Sequence, residues 1–197
     1  MFCTKIPRLI EDGRIMLRPL RLSDGPFLSN GLRDEDILKA KGLNKPVSPS
    51  WFFIWWWFRK TYICPFCIEL NSMPIGFIGL YNVRLGKSAE ISLVIFDKTL
   101  RRQGYGTRAF KLFAKSLQRH SVVEKILIKI KADNHIALSF WRKLGFVEAS
   151  ISNGINGIIS MSMDLLMASK IELTLIIKSP LAPLCQRGEI LPLAKGG

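Results

Sequence analysis

One stretch, "RRQGYGTRAF" at residues 101–110, constrains the fold more than any other part of the sequence. Ahead of it, three apolar runs of strand character predict an antiparallel meander, at residues 62–70, 74–83 and 89–96. After it, apolar side chains recur every three to four residues over 107–120, the spacing of an amphipathic helix. The chain must therefore pass from a strand into a helix through a basic loop that contains Gly104 and Gly106.

The flanking patterns predict the remaining elements. A strand is expected at 14–20, and residues 125–132 alternate apolar and basic like a half-buried strand. Residues 134–146 predict a second helix, for which Gly145 suits the C-terminal cap. Two Asn-Gly pairs between "FVEASIS" and "IISMSMDLL" predict a hairpin. Antiparallel strands followed by a single helical crossover favour an α/β domain that is not a doubly wound parallel sheet.

The chain of 197 residues suits one domain of ordinary size with an appendage. Periodicity is lost near Leu166, and prolines and glycines without a regular pattern follow. We therefore predict a domain over residues 1–166 and a poorly ordered appendage over 167–197. The alternative for the appendage is a damaged or wrongly assigned reading frame.

Composition limits the class of protein. Hydrophobic residues make up 48% and charged residues 22%, which indicates a globular chain. Two histidines and one close cysteine pair, Cys64 and Cys67, do not make a zinc set, so no metal is expected. Strand-like runs flank this pair, which favours free thiols over a redox motif. The N-terminal residues lack the long apolar run of a secretion signal, and a cytoplasmic location is expected.

The aromatic block "WFFIWWWF" at 51–58 is too short to span a bilayer, which takes about 20 residues. Trp beside Arg59 and Lys60 would also suit an interfacial anchor. A buried helix is favoured over that anchor, and core packing is favoured over a role in lining an acceptor pocket.

The basic loop is suited to an anion, because glycines expose backbone N–H groups and a helix N-terminus adds about half a positive charge. The net charge of +14 favours anions generally. A Walker loop would need Gly-Lys-Ser/Thr, whereas Thr107 and Arg108 follow Gly106. The loose dinucleotide pattern Gly104-x-Gly106-x-x-Ala109 fits, but it belongs in the first unit of a parallel fold. A basic turn without a ligand is the remaining alternative.

Three motifs at matching spacing resemble the GNAT family of N-acetyltransferases: "RRQGYG" at the loop, "AEISLVIF" as its fourth strand, and Asn134 followed by "ALSFWRKLGF". The resemblance runs from about Ile15 to Asp164. Within the family, the sequence most resembles the ribosomal-protein N-terminal acetyltransferases and the amino-sugar acetyltransferases. It implies a mostly antiparallel sheet of about seven strands, splayed between strands 4 and 5, with helices on both faces. It also implies acetyl-CoA as the donor, with no metal.

The resemblance further implies where acetyl-CoA binds. Backbone groups at a strand edge would receive the peptide-like pantetheine arm, and a loop would receive the pyrophosphate. Asn134 would bond to pantetheine from the other side, with a helix N-cap as its alternative role. The residues of the edge and the loop are Leu93, Val94, Ile95, Arg101, Arg102, Gln103, Gly104, Tyr105, Gly106 and Thr107.

Acetyl transfer needs a neutral amine, because an ammonium has no lone pair. Glu90 stands where family members often place a carboxylate, and it would take the proton directly or through water. The alternative is a surface carboxylate paired with a basic neighbour. Where the family often has a tyrosine that protonates the leaving thiolate, this chain has Trp141, which leaves water or Tyr81 for that task.

The acceptor amine cannot be read from the sequence, nor can the choice between monomer and homodimer. From Lys98 to Lys131 there are ten Lys or Arg residues against one acidic residue, which also fits an anionic partner such as RNA or the ribosome. The expected activity is therefore transfer of acetyl from acetyl-CoA to a primary amine of a protein N-terminus, an amino sugar or another small molecule. A non-catalytic CoA-binding or RNA-associated protein is the alternative.

Overall fold

The computed structural model of the chain describes residues 7, 9–35, 37–38, 64–149 and 157–165. The strands are β1 (Ile10–Glu11), β2 (Ile15–Pro19), β3 (Cys64–Leu70), β4 (Met73–Arg84), β5 (Ser88–Ile95), β6 (Lys125–Lys131), β7 (Val147–Glu148) and β8 (Ile158–Asp164). The helices are α1 (Gly25–Gly31), α2 (Tyr105–Arg119) and α3 (His135–Lys143), with single 3-10 turns at Leu22–Asp24 and Lys98–Leu100.

The strands form one mixed sheet in the order β1-β2-β3-β4-β5-β6-β8-β7. Neighbouring strands are antiparallel except β5 and β6, which run parallel and pair only at Ser88↔Lys125, Ala89↔Ile126 and Glu90↔Leu127. Past Glu90 the two strands separate. The predicted fold class is confirmed, including the splay, because β5 and β6 are the fourth and fifth strands of the expected order. Within the described residues, the two-residue β1 brings the number of strands to eight.

Helices cover both faces of the sheet. The main core joins α2 and α3 to one face, and it contains Phe110, Phe113, Leu117, Ile126, Ile128 and Trp141. On β5, Leu93 packs against this core, while the next residue, Val94, joins a second cluster with Leu28 of α1. Because successive side chains of a strand point to opposite faces, α1 lies on the face opposite α2 and α3.

Helix α3 ends at Lys143, three residues before the predicted end at residue 146, and the predicted glycine cap follows it. Gly145 has φ +91, and its N–H bonds to the carbonyl of Arg142 at 3.0 Å while the N–H of Phe146 bonds to that of Trp141 at 3.1 Å. This pair of bonds is the Schellman arrangement, in which the left-handed residue stops the helix. Gly145 therefore caps the helix as predicted.

Some predictions fall outside the described residues. They include the aromatic block at 51–58, the Asn153-Gly154 pair and the appendage at 167–197. The chain divides into two units, residues 1–165 and 166–197, and all described residues belong to the first. The boundary at residue 166 and the disorder of the appendage stay predictions. In the part of the chain that the structure describes, no helix has both the length and the apolar character needed to cross a membrane.

A buried ionic cluster holds the turn before α1 against the sheet. The Arg18 guanidinium donates two hydrogen bonds to the Asp24 carboxylate, at 2.7 and 2.8 Å, and one to Glu69 at 2.6 Å. All three side chains are buried, and the backbone N–H of Arg21 also donates to Asp24. The cluster therefore joins β2, β3 and the 3-10 turn through charges that have left water.

We expect this cluster to make the protein sensitive to acid. Burial raises the pKa of Asp24, but the hydrogen bonds and charge of Arg18 outweigh it and hold that pKa below its ordinary value. A depressed folded pKa contributes stability above the unfolded pKa of about 3.9 and loses it as pH falls through the folded pKa. Urea unfolding between pH 6 and 2.5 should therefore show a loss that starts near pH 4. A free energy of unfolding that stays constant to pH 2.5 would contradict it.

Candidate functional site

The basic loop follows β5 and the 3-10 turn at Lys98–Leu100, and it leads into the N-terminus of α2. Gly104 is the N-cap residue, with φ +86, and no side chain caps this helix end. The first intrahelical bond runs from the Arg108 N–H to the Gly104 carbonyl at 3.0 Å. The preceding N–H groups of Tyr105, Gly106 and Thr107 have no backbone acceptor among the described residues. This helix end can therefore hold an anion through its free donors and its dipole.

The two arginines of the loop occupy different environments. Arg101 donates from Nε to the Ile95 carbonyl and from its guanidinium to the Phe96 carbonyl, both at 3.0 Å, and it lies 3.5 Å from Asp34. Its side chain fastens the loop to the end of β5. Arg102 is exposed, with φ +63. Of the two, Arg102 has the side chain directed to solvent and available to an incoming phosphate.

Gln103 also stabilises the loop from within. Its side-chain amide donates to the Thr99 carbonyl at 2.7 Å. This bond holds the side chain within the loop, and the backbone N–H of Gln103 remains a donor for a ligand.

Gly106 lies where the three motifs meet. A Cβ atom at this position would be 3.4 Å from Cδ2 of Leu93 on β5 and 3.6 Å from Cζ of Phe140 on α3. These are ordinary van der Waals distances, so position 106 at the start of α2 lies in contact range of both β5 and α3. The structure thus brings the predicted loop and strand residues together beside the gap between β5 and β6.

One edge of β5 is open beside this loop. Leu93, Val94 and Ile95 pair with Ile78, Phe77 and Gly76 of β4, but β6 pairs with β5 only as far as Glu90. The backbone of residues 91–95 therefore faces the gap between the strands on its β6 side. An extended amide chain could add to this edge as a further strand would.

Asn134 stands at the other side of the gap, at the N-cap of α3. Its side-chain oxygen accepts a hydrogen bond from the Ala137 N–H at 3.0 Å. The predicted N-cap role is confirmed. The amide NH₂ of the same side chain is a separate donor and is not used by the cap.

Glu90 lies at the point where β5 and β6 separate, and its residue is only 9% exposed. Oε1 accepts hydrogen bonds from Asn82 at 3.0 Å and from the Lys129 ammonium at 3.1 Å. Burial raises the pKa of Glu90, but the bonds from Asn82 and Lys129 and the charge of Lys129 outweigh it, so the pKa lies below the ordinary value. The carboxylate is therefore ionised at neutral pH, and it is a weak base while Lys129 holds it.

The sequence did not single out Asn82 or Lys129 as partners of Glu90. Asn82 has φ +50 and sits where the β4–β5 register shifts, so a bulge aims its amide at Glu90. A short polar side chain late in a strand was the available signal for such a bulge. Lys129 was visible only as one basic residue of the alternating pattern of β6.

Trp141 is buried, at 4% exposure, and its ring packs against Phe110, Phe140 and Phe146 with centroids 4.9–5.5 Å apart. The indole is thus part of the main core, and its N–H does not supply a titratable proton. Tyr81 lies directly opposite Glu90 in the β4–β5 pairing. It is therefore the tyrosine that the fold places beside the carboxylate.

Cys64 and Cys67 lie in the part of the chain that the structure describes. Cys67 is a free, buried thiol, and burial raises its pKa to about 12, so it stays protonated and unreactive. Cys64 lies three residues earlier on the same strand, too far for a disulfide with it. Within the described ranges, no group of three His, Cys, Asp or Glu side chains could hold a metal ion.

Solved structures show the same fold. The aminoglycoside acetyltransferase AAC(6')-Ib in complex with coenzyme A has a TM-score of 0.70 at 17% identity, covering 80% of this chain and 99% of that one. Spermidine N-acetyltransferase from Vibrio cholerae, in complex with CoA and spermine, has a TM-score of 0.65 at 18% identity, covering 79% and 98%. RimL, a ribosomal L7/L12 alpha-N-protein acetyltransferase in complex with CoA, has a TM-score of 0.65 at 16% sequence identity, and the match covers 79% of this chain and 97% of that one.

Sequence comparison gives the family. Among curated proteins no significant match is found. The pattern that describes the Acetyltransferase (GNAT) family matches residues 33–146, which is more than half of the chain and includes the loop, Glu90 and Asn134. The chain therefore belongs to the GNAT family of acetyltransferases.

Proposed function

We propose that the protein transfers acetyl directly from acetyl-CoA to a primary amine while both substrates are bound. One observation carries this proposal: the start of α2, the open edge of β5 and α3 meet around Gly106, beside the gap that ends at Glu90. This arrangement places an anion site, the open edge of β5 and a buried carboxylate next to one another.

Acetyl-CoA would bind along these three features. Its pyrophosphate would accept hydrogen bonds from the backbone N–H groups of residues 103–107, with Arg102 adding charge. Its pantetheine arm would pair with the backbone of Leu93, Val94 and Ile95, and the Asn134 amide would donate to it from the opposite side. Arg101 would act through the loop that it fastens to β5.

The thioester would then lie near Glu90. The amine must lose a proton to become nucleophilic, and Glu90 would accept that proton directly or through water. As the C–N bond forms, backbone N–H groups near Leu93 and Val94 would stabilise the oxyanion. The C–S bond then breaks, and the CoA thiolate leaves with a proton from water or from Tyr81.

The acceptor within this proposal is a protein N-terminus, an amino sugar or another small amine. The similar solved structures include one protein named for each kind of acceptor: a ribosomal-protein acetyltransferase, an aminoglycoside acetyltransferase and a spermidine acetyltransferase. At 16–18% identity they do not choose among these acceptors. A cytoplasmic location and a monomer or homodimer belong to the same proposal.

A test is acetyl transfer measured by mass spectrometry, with acetyl-CoA and a panel of peptide, amino-sugar and polyamine acceptors. We expect one class to gain 42 Da per amine, the mass of one acetyl group replacing a proton. The alternative, a CoA-binding or RNA-associated protein, draws support from the exposed Lys111, Lys115 and Arg119, which lie four residues apart on one side of α2. Tight RNA binding with no acetylated acceptor would favour that alternative.

A further inference from the structure

A lysine stands at the entrance to the buried carboxylate. Lys129 Nζ lies 3.1 Å from Oε1 of Glu90, and the Lys129 side chain is 57% exposed while that of Glu90 is 11% exposed. A group that approaches Glu90 from solvent must therefore come within a few ångströms of a positive charge.

Lys129 belongs to a basic row on the outer face of β6. Lys125, Lys129 and Lys131 alternate with core residues, so they share the face that Glu90 also uses. Among the described residues, ion pairs reach this row from Glu90 and from Asp164, which lies 3.4 Å from Lys125. Asp133 follows in the turn after β6 and Glu148 on β7 is paired with Arg142. The three lysines of the row thus contact two carboxylates among the described residues, those of Glu90 and Asp164.

We propose that Lys129 selects the acceptor: the preferred substrate is an amine that stands beside a negatively charged group, and polycationic amines are disfavoured. This inference rests on the proposed function, in which Glu90 receives the proton of the amine. The shared chemistry is a carboxylate or phosphate a few ångströms from the primary amine, as in an acidic peptide N-terminus or a phosphorylated amino sugar.

An anionic group on the acceptor would exchange partners with Glu90. The long, exposed side chain of Lys129 can turn from Oε1 to the incoming carboxylate or phosphate without a backbone change. Glu90 stays buried but loses its cationic neighbour, so its affinity for a proton rises. The acceptor that binds Lys129 thus also converts Glu90 from a weak base into a stronger one.

A polycation meets the opposite situation. One ammonium can approach Glu90, but each further positive charge faces the row of lysines, where the second contacting carboxylate, Asp164, is already paired with Lys125. Like charges repel, and water weakens the repulsion here because the Lys125 and Lys129 side chains are 45% and 57% exposed. Polyamines and aminoglycosides should therefore be poor acceptors for this chain.

The test uses acceptors that differ only in charge. One pair is a peptide that begins Ser-Asp-Glu-Asp and its counterpart that begins Ser-Lys-Arg-Lys; the other is glucosamine 6-phosphate and glucosamine, with spermidine as a polycation. The full chain, Lys129→Met and Lys125→Met are assayed for kcat/KM at pH 5 to 9. Calorimetric affinity of each acceptor for the CoA-saturated protein gives a readout independent of turnover.

For the native chain we expect the anionic member of at least one pair to be favoured by about fivefold per charge pair formed, the upper range for a partly exposed ion pair. Lys129→Met should remove this preference and move the acid limb of the pH profile upward. Lys125→Met removes a lysine that contacts Asp164 and not Glu90, so it should keep the preference for the anionic acceptor and weaken only the exclusion of polycations. Preference in the peptide pair alone, or in the sugar pair alone, identifies the source of the anion.

Two results would overturn the inference. The inference is wrong if the cationic members bind and turn over as well as the anionic members or better. It is also wrong if the preference for the anionic members survives in Lys129→Met. Failure of the proposed function looks different, because no acceptor of any charge would then gain an acetyl group, whereas failure of this inference leaves acetyl transfer intact without a preference for the anionic acceptor.

Discussion

Replacing Glu90 with Gln is expected to lower kcat for acetyl transfer by about 10²-fold or more, within the range for loss of a general base. The affinity for acetyl-CoA should stay the same, because Glu90 lies at the base of the gap and not at the loop. The amide keeps the size of the carboxylate and can still meet Asn82. Steady-state kinetics with calorimetric Kd values for acetyl-CoA separate the two effects.

The matched control is Glu148→Gln. Glu148 is also a glutamate paired with a basic residue, Arg142, but it lies on the edge strand β7 and is exposed. Its replacement should leave kcat within about twofold, as expected for a surface ion pair worth little. Equal activity of Glu90→Gln and the native chain would show that Glu90 is a structural partner of Lys129 and not the base.

Arg18→Met is expected to destabilise the domain by about 3–5 kcal/mol, the usual cost of removing one partner from a buried ion pair. Methionine fills much of the space, but it leaves the carboxylates of Asp24 and Glu69 buried without their cation. Urea unfolding at pH 7 measures the loss. Arg14→Met, at an exposed position just before β2, should change stability by less than about 0.5 kcal/mol.

A triple variant separates charge from packing. In Arg18→Met with Asp24→Asn and Glu69→Gln, no charge remains in this cluster, so part of the lost stability should return. If the triple variant is no more stable than Arg18→Met alone, the loss comes from the missing side-chain contacts. A loss below about 1 kcal/mol in the single variant would contradict the account of the cluster.

The elements of the fold could be predicted because their signals are local. Apolar residues alternate through β5 and β6 and recur at helical spacing through α2, and Gly145 stops α3 where a left-handed residue is needed. The open edge beside β5 followed from the resemblance between motifs. Each of these inferences uses residues close together in the chain.

The interactions around the site could not be predicted, because they depend on how distant segments are placed. Glu90 meets Lys129 through the short parallel pairing of β5 with β6, 39 residues apart. Arg18 falls on the face opposite its core neighbours Ile15 and Leu17, and it is buried only because the turn to α1 covers it. The direction of the Arg101 side chain toward the carbonyls of Ile95 and Phe96 is likewise a choice of rotamer that the sequence does not show.

The most direct measurement is acetyl-CoA binding by calorimetry to the native chain, to Gly104→Glu and to Gly86→Glu. Both glycines have positive φ and open space where a Cβ would be, so they share the backbone cost, but Gly86 lies in the β4–β5 hairpin. The account predicts binding by the native chain and Gly86→Glu, and at least about tenfold weaker binding by Gly104→Glu, where a carboxylate opposes the pyrophosphate. Unchanged affinity in Gly104→Glu, or no binding by the native chain, would contradict the assignment of this loop to acetyl-CoA.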